Sequence, residues 1–454
     1  MIVPRNRLLF WSAVMIPVIS MVVADPETIW LGGWPLLAWL VIAVTDASLA
    51  RSRLKDIAVA LPEVVRLSKD RDGQIQIRIE NPRQQIRRLT LALRLPAEIT
   101  SPDPEMIVDL PEGHPSAIVS WPCLALRRGR YLLDRCYLET SSAWGLWATR
   151  AAITVNAEVR VYPNVFNERK YLATLFLGRG VLGAHPYRQM GKGRDFEKLR
   201  EYSPGDSFED ISWKTTAKRG SPVSKVYQIE RTQEVYVIID SSRLSARAAS
   251  LVSERRLAAR RNDSGLTTVL ERFVTAALIM GLAAERQGDL FGLVTFSNKI
   301  LNFVRAKNGK VHYDACREAL YMIQPQAVSP DFDELFTFIG HKIRRRALIV
   351  ILTNMDDPVL AEDFLKSVQI IARRHLVLVN MIQPPAARPL FTNPEVKSPD
   401  DLYQELGGHL LWASLRDTQR HLKKRNVAFN TLDNEKMCAE LVTQYIQIKQ
   451  RQAL

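Results

Sequence analysis

The residue with the clearest opening for chemistry is Asp240, which closes the apolar run Val235 to Asp240 (VYVIID) just before the polar string Ser241-Ser242-Arg243-Leu244-Ser245. In open α/β sheets ligands gather at the carboxyl ends of strands, so a carboxylate there is a candidate anchor for a ligand or for its own loop. A second concentration lies at 191–220, GKGRDFEKLREYSPGDSFEDISWKTTAKRG, where opposite charges, fixed turns and a Trp crowd together. Phe196, Leu199 and Tyr202 recur every three residues. That spacing predicts a short helical turn, with Lys198, Arg200 and Glu201 off its apolar face. Ser203-Pro204-Gly205-Asp206 predicts the tight turn that stops it, leaving Asp206 to accept hydrogen bonds from nearby amides. Ile211 and Trp213 alternate with polar neighbours, which predicts a half-buried extended segment.

Enzyme signatures do not accompany these residues. The seven histidines form no HExxH, and the chain carries no GxSxG or Cys-His pattern. Gly178 to Gly183 spells GxGxxG, but His185-Pro186 follows closely where a dinucleotide fingerprint needs a helix to begin. Gly191-Lys192-Gly193 lacks the glycine spacing and hydroxyl of a P-loop. An active site assembled from distant residues, most plausibly a hydrolase site near 191–220, stays open as an alternative.

The order Gly191, Gly193, Asp195, Phe196, then Leu199 to Tyr202, Pro204 to Asp206, Ile211, Trp213 and Ala217 to Gly220 resembles the motif series of the bacterial domain of unknown function 58 family. Arg128-Gly129-Arg130-Tyr131 and Trp144-Gly145-Leu146-Trp147 resemble that family's upstream pair. The resemblance implies a von Willebrand factor A-like domain after the series. It also implies the company of a MoxR-type AAA+ ATPase and of membrane proteins with transglutaminase-like domains, in assemblies that mature other proteins. Asp240 to Ser245 then resembles the D-x-S-x-S metal-ion-dependent adhesion motif, in which Asp240 and Ser242 would hold Mg²⁺ and a partner's acid would complete the shell. Leu244 replaces the second Ser, and Asn354 stands where a later strand end would supply Asp. Mg²⁺ favours octahedral oxygen donors with carboxylates, so the site is degenerate and Asp240 as a hydrogen-bonded loop anchor is the preferred reading. No other cofactor is expected.

The elements that must position these residues begin with two uncharged runs, Leu8 to Ala24 and Ile29 to Val44. Each is close to the minimum for crossing a bilayer, and the second follows the first at once where a signal peptide would have a single apolar core and a cleavage site, so the expectation is a transmembrane helical hairpin over 1–50. Arg5 and Arg7 before it and Arg51, Arg53 and Lys55 after it predict an inner-membrane protein with two spans and both termini cytoplasmic. The four cysteines show no CxxC spacing, which suits a reducing compartment.

Period-two alternation, as in Ile75, Ile77 and Ile79 and in Leu89 to Leu95, predicts a small all-β sandwich of immunoglobulin-like type over 56–165, acting as a spacer or docking module. A connector over 166–230 carries the motif series. Over 231–450, apolar strands separated by helical stretches predict an α/β doubly wound domain with a mostly parallel sheet. The net charge of +14 points to an anionic partner. The basic runs around Arg243 to Arg261, Lys342 to Arg346 and Arg420 to Arg425 are solvated faces or contacts to an anionic lipid surface. A nucleic-acid-binding protein is a third alternative, disfavoured because no base-reading module or aromatic platform accompanies the charge. The reading reached from sequence is a membrane-anchored adaptor. Its docking residues would be drawn from Asp195, Phe196, Arg200, Glu201, Tyr202, Gly205, Asp206, Trp213, Asp240 and Asn354.

Overall fold

The computed structural model describes all residues except 24–28, 83–85, 112–113, 167, 170–189, 204–207, 229–232, 250–266, 391–397 and 452–454. The described residues form two compact units, Met1–Asn164 and Val165–Leu454.

The first unit opens with β1 (Ile2–Pro4), α1 (Asn6–Val23) and α2 (Ile29–Ala50) and continues as strands. These are β2 (Ala58–Ala60), β3 (Val64–Ser68), β4 (Asp72–Glu80), β5 (Arg88–Leu93), β6 (Ile99–Thr100), β7 (Met106–Asp109), β8 (Ser116–Ala125), β9 (Gly129–Ser141) and β10 (Trp147–Tyr162). One sheet runs β1-β10-β9-β5-β7 with β3 added on β10, and the other runs β2-β4-β8-β6. Alternation dictates which side chains enter the core: Ile75, Ile77 and Ile79 of β4 are fully buried with Leu89 and Leu91 of β5 and Trp121 of β8. Both sheets thereby share one apolar core.

The expected transmembrane hairpin is not supported: among the described residues no helix is long and apolar enough to cross a membrane. The 18 residues of α1 rise only about 27 Å, and they include Asn6, Arg7, Ser12, Pro17 and Ser20. The last two turns of α2 belong to the β unit. Asp46 is fully buried and accepts from Ser142 Oγ at 2.6 Å and from the Trp144 N–H at 3.3 Å. Trp147 Nε1 donates to Ala43 O at 2.9 Å, and Thr149 Oγ1 donates to Ala50 O at 2.9 Å. What precedes Ala43 in α2 rises about 21 Å, short of the roughly 30 Å of hydrocarbon. The apolar run ends at Val44, and the helix beyond it is packed against protein through Asp46 and Ala50 and adds nothing to the span. The expected two-span inner-membrane placement falls with it.

The second unit starts with a two-stranded antiparallel sheet, β11 (Met190–Glu201) and β12 (Val223–Gln228), bracketing α3 (Trp213–Arg219). The helical turn expected over Phe196 to Tyr202 is instead strand. A register shift between Phe196 and Lys198 marks a bulge, whose inserted residue lets the spacing of three from Phe196 to Leu199 run along an extended chain, and Tyr202 lies just past the strand's end. The extended segment expected at Trp213 is instead the start of α3, and Trp213 is 68% exposed.

A six-stranded sheet follows. Its members are β13 (Glu234–Asp240), β14 (Leu290–Phe296), β15 (Ile300–Lys307), β16 (Leu348–Leu352), β17 (Leu376–Ile382) and β18 (Val427–Leu432), in the order β15-β14-β13-β16-β17-β18. All pairings are parallel except β14 with β15. Both faces are covered by α4 (Val269–Arg286), α5 (Lys310–Tyr321), α6 (Phe332–Lys342), α7 (Pro358–Ser367), α8 (Gln369–Ala372), α9 (Pro399–Lys424) and α10 (Met437–Gln450). Successive residues of β13 therefore enter opposite cores: Val235, Val237 and Ile239 on one side, Tyr236 and Ile238 on the other. Gly292 of β14 is held to glycine by that packing, because an added Cβ would lie inside contact distance of the Tyr236 ring. This is the doubly wound architecture whose strand order reverses beside β13, placing Asp240 at the crevice end.

Candidate functional site

Asp240 ends β13, and the chain turns at once into a short 3₁₀ turn over Arg243–Ala246, whose amino end is capped by the Ser242 hydroxyl. The carboxylate is completely buried, and both oxygens are engaged: Oδ1 accepts from the Ser242 N–H at 2.8 Å and Oδ2 from Thr353 Oγ1 at 2.6 Å. Thr353 follows β16, the parallel neighbour of β13, so the two strand ends are pinned side by side. Burial pushes the titration of Asp240 upward, opposed by the hydrogen bonds from Thr353 and Ser242.

The rest of the loop is closed in the same way. Ser241 Oγ donates to Phe296 O at 2.8 Å, Ser245 Oγ to Ser242 O at 2.9 Å, and Asn354 Nδ2 to Leu244 O at 3.1 Å. Ser241, Ser242 and Ser245 are fully buried and Asn354 is nearly so. Toward solvent the loop presents Arg243 and Arg247, each about half exposed. Arg243 lies 3.6 Å from Asp357 and donates from Nε to Ser329 Oγ at 3.1 Å, while Arg247 pairs with Asp356. Asp357 in turn caps α7, accepting from the Val359 N–H at 3.0 Å.

This donor set does not fit the Mg²⁺ that the adhesion motif implies. A hexacoordinate ion needs several oxygens with free lone pairs aimed at one point. Here the one buried carboxylate accepts from protein donors at both oxygens, Asn354 directs its amide N–H at a carbonyl, and Ser329, Asp357 and one oxygen of Asp356 are engaged by arginine, so that Asp356 Oδ1, buried without a hydrogen-bond partner, is too little to hold the ion by itself. Among the described residues no group of three or more His, Cys, Asp or Glu is arranged to hold a metal.

The connector residues lie apart from this cluster in the bonds they make. Arg200 and Glu201 are exposed on β11, opposite Ser224 and Val223 of β12. Tyr202 is half-buried, its ring 6.0 Å from that of Phe208, and its N–H donates to Pro222 O at 2.9 Å. Ser212 N donates to Val223 O at 2.8 Å, and the Val223 N–H returns to Thr216 Oγ1 at 3.0 Å. Gly220, at φ +74, ends α3 with its N–H on Thr216 O. Asp195 and Phe196 sit on β11 with side chains outside the described set, and Gly205 and Asp206 lie outside the described residues altogether.

Thr353, Arg243 and Arg247 are the site residues the sequence reading did not select. The available signal for Thr353 was that ALIVILT ends in a hydroxyl just as VYVIID ends in a carboxylate, which parallel neighbours bring together. The thiols offer no nucleophile in compensation. All four cysteines are free and buried, and desolvation pushes Cys123 up to about 11 and Cys136, Cys316 and Cys438 up to about 12.

Comparison with known proteins places the chain among relatives without a described activity. Residues 198–392 match the family model described as "Protein of unknown function DUF58". An uncharacterized protein of Bacillus subtilis, YeaD, is 24% identical over 125 residues, which cover 28% of this chain and 31% of that protein. An uncharacterized protein of Mycobacterium tuberculosis is 25% identical over 202 residues, 44% of this chain and 58% of that protein. The chain thus spans less than two thirds of the length of either relative. Among solved structures, conserved hypothetical protein BatB from Bacteroides thetaiotaomicron aligns at 13% identity and TM-score 0.30 over 47% of this chain and 97% of that one. The SpRpn10 VWA domain aligns at 9% identity and TM-score 0.27 over 47% of this chain and 95% of that one. The matched residues, 198–392, run from the second half of β11 through β17 and just beyond, and they take in most of the ordered motif series that resembles this family.

Proposed function

We propose that the chain is an adaptor whose α/β unit presents the strand-end loops around Asp240 to a protein partner. The observation that carries this is the internal closure of the Asp240 cluster. A carboxylate with no exposed surface and both oxygens bonded cannot bind substrate, but it holds a loop in one shape. The groups left facing solvent, Arg243, Arg247 and Asp357, are suited to polar complementarity with another surface. The family resemblance favours a MoxR-type AAA+ ATPase as that partner, and a membrane protein with a transglutaminase-like domain as a further member of the assembly.

The direct test is association of the full chain with a purified MoxR-type ATPase, followed by biolayer interferometry. Binding is expected for the native chain and for Asp240→Asn, whose amide matches the carboxylate in shape. Arg243→Glu with Arg247→Glu is expected to weaken it about tenfold or more. No association of the native chain, or turnover of a substrate by the chain alone, would overturn the reading.

A further inference from the structure

The end of the sheet opposite Asp240 carries an unbalanced charge that the linear sequence disperses. Strands β16, β17 and β18 are parallel neighbours, so the loops that enter them lie side by side at the amino end. Those loops read HKIRRRA (341–347), ARRHL (372–376) and HLKKRNV (421–427), which together hold nine Lys and Arg and no Asp or Glu. Ile343, His375 and Leu422 are buried beneath, while Lys342, Arg344, Arg373, Arg374, Lys423 and Lys424 are exposed. With strands about 4.8 Å apart, three loops make a patch about 10 Å across.

Two features of the fold could balance this charge, and neither is large enough. Helices α6, α8 and α9 end here, and each helix terminus contributes about half a negative charge at most, so together they offset about 1.5 of the nine. Arg346 is already engaged, which leaves eight, and acids among the described residues take little from those. Arg345 reaches Glu234 at 4.0 Å, and Asp289, just ahead of β14, is already committed to Lys449 at 2.8 Å and to Tyr445. The field is felt locally: the buried ring of His375 is pulled down to about 4, first by desolvation and then by Arg374. Clustered like charge works against the compact state unless something complements it.

We propose that this amino-end rim docks an acidic polypeptide segment of a partner protein. Six of the nine cations are Arg, whose planar forks pair bidentately with carboxylates. The three loops contain no Phe, Tyr or Trp on which bases could stack, which disfavours single-stranded nucleic acid. A patch three loops wide fits a single chain segment. The rim and the Asp240 loops occupy opposite ends of the same sheet, so each docking surface stands or fails separately.

The experiment titrates the full chain with a labelled poly-glutamate peptide at low and physiological salt, using single-stranded DNA and phosphatidylserine vesicles as alternative ligands. Expected are peptide binding that weakens with salt, and a loss of about tenfold or more in each of two double variants, Arg373→Glu with Arg374→Glu and Lys423→Glu with Lys424→Glu. Using two separate loops guards against one variant failing to fold, and circular dichroism reports folding for both. Peptide affinity unchanged in a folded variant would overturn the proposal. So would preferential binding of DNA or of the vesicles. Loss of ATPase association with the peptide result intact would instead count against the Asp240 surface alone.

Discussion

Asp240 and Asn380 are both polar, both fully buried, and both near the carboxyl end of a parallel strand, yet one has both side-chain oxygens hydrogen-bonded and the other's side chain has no partner in the protein. Their positions account for the difference. Asp240 is the last residue of β13, so the turning chain brings the Ser242 N–H back to it and the neighbouring strand end supplies Thr353. Asn380 lies inside β17, in register with Leu352 and Asn430 and between Leu378 and Ile382, which belong to the apolar core on that face. Its carbonyl serves the Thr353 N–H, but neither atom of its side-chain amide meets a protein partner. His375, one residue ahead of the same strand, repeats the pattern with both ring nitrogens unpartnered. Buried polarity at a strand end is cheap because the loop can be built around it; inside or ahead of a strand it has to be tolerated.

The comparison breaks most visibly at Asp240. Asp240→Ala strands the Ser242 N–H and the Thr353 hydroxyl without an acceptor in a fully buried site, at an expected cost of about 3 to 5 kcal/mol in urea denaturation. Asp240→Asn should cost far less, because its oxygen can keep the Ser242 bond and its amide can donate to a rotated Thr353 hydroxyl. Because the folded carboxyl titrates above its unfolded value, the unfolded chain releases its proton first as pH rises. Asp240 therefore erodes stability on going upward from about pH 4, and Asp240→Asn should lack that component. A loss under about 1 kcal/mol in Asp240→Ala would show that the cluster is not the loop's anchor.

His375 should give the next largest effect, with the opposite dependence on pH. Its ring is lowered to about 4 from an ordinary 6.5, so between those values the unfolded chain binds the proton that the folded chain refuses. Stability is full above about pH 6.5 and falls by about 3 kcal/mol as the pH drops to about 4. His375→Leu should flatten that fall, read as the difference between two pH-stability curves. Parallel curves would mean that the ring is solvated in the folded protein.

How far the sequence displayed these features depended on whether the signal was local. The strands ending at Asp240, Phe296, Leu352 and Ile382 were legible because near-continuous apolar runs between helical stretches have one sensible reading. The edge strand β15 escaped because ILNFVRAK is half-exposed and pairs antiparallel to β14, so it has neither a continuous apolar run nor a clean alternation. Helix α9 escaped because Gly407-Gly408 interrupts it and, of its 26 residues, only Gly408, Leu415, Thr418 and Leu422 are buried. The connector misled for a different reason. A spacing of three apolar residues has a helical reading and a bulged-strand reading, and the pairing with β12 that chooses between them lies over twenty residues away. At the site, Asp240 was visible as a strand end, whereas Thr353 required the register of β13 on β16, and the amino-end rim required the order of three strands. Pairing is a long-range property that no window of the chain contains.

The finest test of the contrast is Asn380→Leu. Removing a polar group that has a partner costs stability, as at Asp240, but removing one that has none takes away only a desolvation penalty and adds apolar contact. Asn380 is fully buried on the face that holds Leu378, Ile382 and Leu432, and Leu matches Asn in the number and branching of its side-chain heavy atoms. The variant should therefore gain about 1 kcal/mol in the same urea assay in which Asp240→Ala loses several. A loss instead would mean that bonds from beyond the protein satisfy the amide, and Asn380 would then join Asp240 as a residue the fold is built around, which would erase the distinction between strand end and strand interior.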